Sequence, residues 1–329
     1  MNDYNSDSDS DSDLKPLKKR IEAIVKTLKD NSSFELDLSS YHIENEDIKA
    51  LAEALKVNSS LTKLVLSFNN IKYEDTEALA EALKVNSSLT YLNLSFNEIG
   101  NEGTEALAEA LKVNSSLTKL DLRVNEIRNE GIEALAEALK FNSSLTYLDL
   151  HHNQIGNEGA EALAEALKFN SSLTILNLNL NEIKKEGAEA LAEALKVNSS
   201  LTELDLSVNQ IKEGVEALAE ALKVNSSLTK LDLTGNNIRE VKALAEALKV
   251  NSSLTRLELR QIKIEDEDVI SLAEALKVNS SLTWLDLKDN NIRTNNEALI
   301  EALKVNSSLT YLDLSNKNIK TRFKALSEP

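Results

Sequence analysis

Few side chains in this 329-residue sequence could do covalent or metal chemistry. There is no cysteine, so a thiolate nucleophile, a disulfide framework and a sulfur metal ligand are all excluded. Two of the three histidines, His151 and His152, are adjacent. In an extended chain successive side chains alternate between faces, which puts His151 on the same face as Asp149. One imidazole and one carboxylate do not complete a metal site, and no serine beside them is set up for activation as a triad nucleophile. The eight glycines form no phosphate-binding loop. Arg123, Arg128, Arg256 and Arg260 could in principle supply positive charge to a partner's phosphoryl-transfer site. Nothing in the sequence calls for a cofactor or a metal.

The residues with chemical potential all sit within a repeat. The stretch Asn86 to Ile99 reads N-S-S-L-T-Y-L-N-L-S-F-N-E-I, and its opening asparagine recurs at Asn31, Asn58, Asn114, Asn142, Asn170, Asn198, Asn225, Asn251, Asn279 and Asn306. A period of this length means one supersecondary unit stacked on copies of itself. The first half of each unit is a short strand such as Tyr91 to Leu94, with Leu92 and Leu94 inward and Tyr91 and Asn93 outward. The second half is a helix such as Thr104 to Lys112, where Leu107, Ala110 and Leu111 share one buried face. The alternation predicts an α/β solenoid of about eleven repeats. Strands sit about 4.8 Å apart and packed helices about 8–10 Å apart, so the sheet takes the concave side and the helices the convex side.

Asn69, Asn97, Asn125, Asn153, Asn181, Asn209, Asn236 and Asn290 follow the strands. Their amides can both donate and accept, which suits a ladder that satisfies buried backbone groups between repeats. Tyr41, Ile262 and Lys317 interrupt the ladder, and two units before Ile262 are shortened. These features predict an irregularity in curvature over residues 209 to 268, with the acidic run Glu265 to Asp268 as a solvated loop. Every N-S-S is formally a glycosylation acceptor. We read it as turn chemistry, with the asparagine in the left-handed conformation that ends a helix.

Residues 1–13 are rich in Ser and Asp and read as a disordered acidic tail, with Ser6 spaced as a kinase acceptor relative to Asp9. A single domain is expected over 14–329. It comprises a capping helix at 14–30 starting near Pro16, repeats over 31–320 and a truncated end at 321–329. That end either exposes an apolar face that self-associates weakly or folds over it, and the chain is otherwise expected to be a monomer. No apolar run approaches membrane-spanning length, and the acidic N-terminus does not read as a secretory signal. These features point to a cytoplasmic protein. The net charge of −17 excludes nucleic acid and anionic membrane as natural partners and favours a basic one.

The pattern L-x-x-L-x-L-x-x-N-x-I (Leu89, Leu92, Leu94, Asn97, Ile99), followed by helices such as E-G-A-E-A-L-A-E-A-L-K, resembles the leucine-rich repeats of the ribonuclease-inhibitor-like subfamily. Immune-receptor sensor arrays and Ran GTPase-activating proteins carry similar repeats. The resemblance implies a horseshoe whose concave face binds protein. None of the four arginines sits in a motif that matches the Ran-activating proteins residue by residue, so no catalytic residue is carried over.

The repeats differ from one another mainly on the outward strand positions, whereas exposed helix positions scarcely vary. This contrast predicts a non-enzymatic protein-interaction scaffold, with a GTPase activator of the Ran-activating type as the alternative. The expected contact residues are Phe68, Tyr91, Phe96, Asp121, Arg123, Val124, Tyr147, Asp149, His151, Ile175, Leu180, Asp205, Val208 and Trp284. Within this set Phe68, Phe96, Val124, Leu180 and Val208 form one apolar column, and Tyr91, Tyr147 and Ile175 a second. The acidic stripe Asp37, Asp121, Asp149, Asp205, Asp232, Glu258, Asp286 and Asp313 runs between the strand leucines, expected exposed and serving either solubility or a basic partner.

Overall fold

The computed structural model describes residues 21–290, 292, 297–314 and 322–324. Eleven three-residue strands, from Glu35–Asp37 to Tyr311–Asp313, pair in parallel and in chain order within one open sheet. A helix follows each of the first ten, and neighbouring helices pack on one another in the same order. The expected α/β solenoid is therefore the observed architecture. The register is uniform, so each strand position forms a column across the sheet, as where Tyr91 stands opposite Lys119 and Lys119 opposite Tyr147.

The core is one continuous apolar layer between sheet and helices. In the repeat of Leu89, the residues Leu92, Leu94, Ile99, Leu107, Ala108, Ala110 and Leu111 are all essentially inaccessible. The helix is Gly100–Leu111, so it begins a turn earlier than the expected start at Thr104, and Glu102 lies in its first turn. Acid at that end complements the helix dipole. The close-packing residue Gly103 has no room for a side chain: an added Cβ would stand 2.6 Å from Ile99 Cγ2.

Two asparagine ladders stitch the repeats. Asn97 Nδ2 donates to Leu94 O at 2.8 Å and to Leu66 O of the preceding repeat at 3.1 Å, while its Oδ1 accepts from Asn69 N and Ile71 N, both at 3.0 Å. Asn114, in the N-S-S triplet, donates to Leu83 O at 2.8 Å and Asn86 O at 3.0 Å and accepts from Leu117 N at 2.8 Å. The left-handed conformation expected of these asparagines holds for Asn31 alone among the described ones (φ 53°). Asn58 is extended, at φ −78° and ψ 134°. The asparagine is retained for its buried amide, which carries bonds that water would otherwise make.

A third set was not read from the sequence. Asn129 Oδ1 accepts from Gly156 N at 2.7 Å and Gly159 N at 3.2 Å, the free amides at the start of the next repeat's helix. Asn157 does the same for Lys184 N at 2.9 Å and Gly187 N at 3.2 Å. The helices Asn157–Leu167 and Lys185–Leu195 are thus each capped by the preceding repeat. Lys185 has no acceptor to continue this, and the following helix opens with the 3-10 turn Lys212–Gly214.

Around the shortened units the helices Val215–Leu222 and Val241–Leu248 have 8 residues instead of the 11 of Lys185–Leu195. They leave a cleft of about 900 Å³ lined by Lys212, Arg239, Lys242, Lys263 and Glu267 among others. Ile262, at the ladder position, is buried, and its N–H donates to Asn290 Oδ1 at 3.0 Å. The run Glu265 to Asp268 is not a loop. It is the first turn of the helix Asp266–Leu276, with Asp268 Oδ2 accepting from Glu265 N at 3.0 Å.

At the N-terminal end residues 21–29 are helical, with Ile21 and Leu28 buried. The acidic tail, Ser6, Pro16 and Lys317 lie outside the described residues. At the other end the strand Arg322–Lys324 pairs antiparallel with Tyr311–Asp313, so the last parallel strand does not end the sheet with free backbone groups. Among the described residues no helix is long and apolar enough to cross a membrane.

Candidate protein-binding face

The inner face of the sheet carries three columns. The first runs through Lys63, Tyr91, Lys119, Tyr147, Ile175, Glu203, Lys230, Arg256, Trp284 and Tyr311. Tyr91, Tyr147, Ile175 and Trp284 are half-buried in it. Near the C-terminal end the Arg256 guanidinium lies 4.3 Å over the Trp284 ring, which stacks on Tyr311 at 3.4 Å and 8°. Trp284 therefore belongs to a cluster of its own, remote from the other expected contact residues.

The second column is the carboxylate stripe, and here the structure corrects the sequence reading. Asp121, Asp149, Glu258, Asp286 and Asp313 are buried, and Asp205 and Asp232 half-buried, while Asp37 is exposed as expected. The cause is a backbone bond. Asp149 Oδ1 accepts from His151 N at 3.0 Å, Asp205 Oδ1 from Ser207 N at 2.9 Å and Asp286 Oδ1 from Lys288 N at 3.0 Å. Such side-chain turns end each strand. Asn93 and Asn177 make the same bond, to Ser95 N at 2.8 Å and Asn179 N at 2.9 Å. The interchange of Asp with Asn at this position was the available signal that the oxygen matters more than the charge.

The buried charges are only partly balanced. Arg123 grips Asp121 with Nε at 2.9 Å and Nη2 at 2.7 Å, and its Nε lies 3.6 Å from Asp149. Tyr147 Oη donates to Asp149 Oδ2 at 2.9 Å. Burial pushes the Asp149 carboxyl up, and burial together with Asp149 pushes the Tyr147 phenol up. Arg256 holds Glu258 at 2.7 Å, and Arg260 holds Asp286 at 2.7 Å. Between these two groups stand Asp205 and Asp232, in register on neighbouring strands. Burial, then the Asp205 charge, raises the Asp232 carboxyl to about 6.

The third column follows the strands. Phe68, Phe96, Val124, His152, Leu180 and Val208 all have left-handed backbone, with φ from 52° to 59°. Among the described residues of this column, Gly235 at φ 74° is the one glycine, the residue type that this conformation favours. Phe68 and Phe96 are exposed and stack at 4.2 Å and 12°, and Val208 is exposed, whereas Val124 and Leu180 are half-buried. His152 is exposed within this column, its ring 5.9 Å from that of His151. Among the described residues no group of three His, Asp or Glu could hold a metal ion.

The structure thus gathers Phe68 with Phe96, and Asp121, Arg123, Tyr147 and Asp149 around one ion pair. It adds Asp232, Tyr311 and His152, which the set of expected contact residues lacked. It also engages every arginine considered for phosphoryl chemistry, since Arg128 Nε donates to Gln154 Oε1 at 2.9 Å.

The family model described as Leucine Rich repeat matches residues 57–80, 85–108, 113–136, 141–164, 169–192, 197–219 and 224–239. Seven leucine-rich repeats thus lie between residues 57 and 239. The first six matched segments each begin just before an N-S-S triplet and reach into the following helix, and the seventh stops at residue 239, ahead of the helix Val241–Leu248. No curated protein sequence matches the chain. Among solved structures, leiomodin-1 actin-binding site 2 is 27% identical over 39% of this chain and 76% of that one, with a TM-score of 0.36. The tropomodulin C-terminal domain of Caenorhabditis elegans is 20% identical over 46% of this chain and 92% of that one, with a TM-score of 0.40.

Proposed function

We propose that this leucine-rich-repeat array is a non-enzymatic, cytoplasmic scaffold that holds a basic protein partner on the inner face of its sheet. The observation that carries this reading is the exposed pair Phe68–Phe96 on left-handed backbone. Bulky residues are disfavoured there, by roughly 1–2 kcal/mol each, and these two leave 49% and 39% of their surface in water. Exposed aromatics on a rigid sheet make effective anchors for a partner's apolar side chains. The pair Asp205–Asp232, without a lysine or arginine at ion-pair distance among the described residues, favours a lysine or arginine on that partner. The net charge of −17 would speed encounter with such a partner at low salt.

A GTPase activator of the Ran-activating type would need an arginine or amide free to enter the partner's site. Arg123, Arg128, Arg256 and Arg260 each hold a side chain of this chain instead. That favours the scaffold.

Affinity capture from cell extract, read by mass spectrometry, tests the proposal. The variant Phe68→Ala, Phe96→Ala, Tyr147→Ala should lose the captured partner while keeping its circular dichroism spectrum. Undiminished capture by a folded variant would move the site off this face.

A further inference from the structure

A second surface runs the length of the array where each helix hands over to the next strand. The six-residue segment V-N-S-S-L-T, or F-N-S-S-L-T, occurs ten times, the first at Val57 to Thr62 and the last at Val305 to Thr310. Its asparagines are joined repeat to repeat, as Asn114 to Asn86 O at 3.0 Å and Asn142 to Asn114 O at 3.0 Å. The residues just before them are therefore neighbours in a row along one edge. All ten are valine or phenylalanine, each between 62% and 72% exposed. Hardly any of that side-chain surface serves the core of this chain.

Three properties of this edge are those of a binding surface. No charged residue occurs within the segment in any of its ten copies, although the chain carries 54 acidic and 37 basic residues. Depletion of charge at the centre of a patch is what distinguishes binding surfaces from the rest. The Val or Phe and two serines of the eight units from Val57 to Val250 together give 24 residues, within the roughly 20–30 a standard interface uses on one side. The row departs from valine only at Phe141 and Phe169, in adjacent central repeats, and these are the most exposed large apolar residues described. Large aromatics near the middle of a patch are where binding energy concentrates.

We propose that the occupant of this edge is a second copy of the chain. A periodic row of apolar knobs matches only a surface of the same period, and an identical array supplies it. A two-fold axis midway between Phe141 and Phe169 sets Phe141 against Phe169 of the second copy, and Val113 against Val197 of the second copy. A symmetric dimer requires such self-complementary pairing. The concave face stays open on the outside of the pair, so the dimer presents two partner sites.

Size-exclusion chromatography with light scattering over a dilution series reads the result directly. The wild type should run at twice the 36.3 kDa of one chain. Phe141→Ser, Phe169→Ser should run as a folded monomer, and each single substitution should weaken association on the order of tenfold or more. Phe68→Ala, Phe96→Ala should remain dimeric. A wild type that stays monomeric up to about 1 mM, where only the weakest contacts fail to show, overturns the proposal. So does a dimer that survives loss of both phenylalanines, or one that the concave-face variant dissolves.

Discussion

Asp205 and Asp232 stand in register on neighbouring strands, and among the described residues neither has a lysine or arginine within ion-pair distance. Lys230, on the same strand as Asp232, is turned to Glu203 at 3.4 Å. Burial and the Asp205 charge raise the Asp232 carboxyl to about 6, against about 3.9 in an unfolded chain. The folded state thus binds this proton more tightly than the unfolded state. Ionisation of Asp232 therefore weakens the fold above about pH 6, and the penalty fades as pH falls from about 6 to about 3.9. Asp232→Asn keeps the oxygen that accepts from Thr234 N at 2.9 Å. It should raise the unfolding free energy from urea titration at pH 7 by on the order of 1–2 kcal/mol and match the wild type near pH 4. Equal midpoints at pH 7 would mean that the pair is not strained.

Val208 is β-branched, 45% exposed and held at φ 52°. Left-handed backbone costs such a residue roughly 1–2 kcal/mol, while glycine costs about 0.4–1 kcal/mol through the freedom of the unfolded chain. Val208→Gly should leave stability unchanged or raise it by up to about 1 kcal/mol, as Gly235 one repeat on suggests. Partner capture should weaken in the same variant. A loss of more than about 1 kcal/mol in a denaturant titration would show that the left-handed strain is not there to relieve.

The leucine period made the fold legible because every strand and helix restates one binary pattern, and register follows once each unit has the same length. The asparagine at Asn97 was legible for the same reason. The carboxylate stripe was misread as exposed because alternation tells which face Asp121 and Asp149 share, and not whether neighbouring strands and Arg123 cover them. The apolar column was legible as a column, but nothing in Phe68 or Val208 signals a left-handed backbone. Glycine or asparagine would have signalled it. The capping role of Asn129 lay hidden because its partners are Gly156 and Gly159, a full repeat away.

Asn97 is buried with five side-chain bonds to backbone groups of two repeats. Alanine would leave the N–H groups of Asn69 and Ile71 without their acceptor where water has no room, while Leu66 O and Leu94 O keep the amides of Asn69 and Asn125. Each such loss costs about 1–3 kcal/mol, partly relieved by relaxation. Asn97→Ala should therefore destabilise by about 3–5 kcal/mol, in the range reserved for buried network loss. Asn97→Asp should be no better, because a carboxylate faces the carbonyls of Leu66 and Leu94. A loss below about 1 kcal/mol in a chemical melt would show that the ladder is dispensable.

Asn129 tests whether the units are coupled through their helix starts. Its side chain lies on one repeat, yet both acceptor bonds go to the next repeat's helix, and Nδ2 donates to Glu158 Oε2 there at 2.8 Å. A cap contributes about 0.5–2 kcal/mol to the helix it closes. Alanine here should thus destabilise a helix to which residue 129 does not belong. Hydrogen exchange of Asn129→Ala should show faster exchange at Gly156 to Ala160 than in the wild type, with residues 129–139 little changed. Global stability should fall by about 1 kcal/mol. If exchange instead quickens within the helix Asn129–Leu139 alone, the residue acts on its own unit, and the helices are coupled through their apolar faces only.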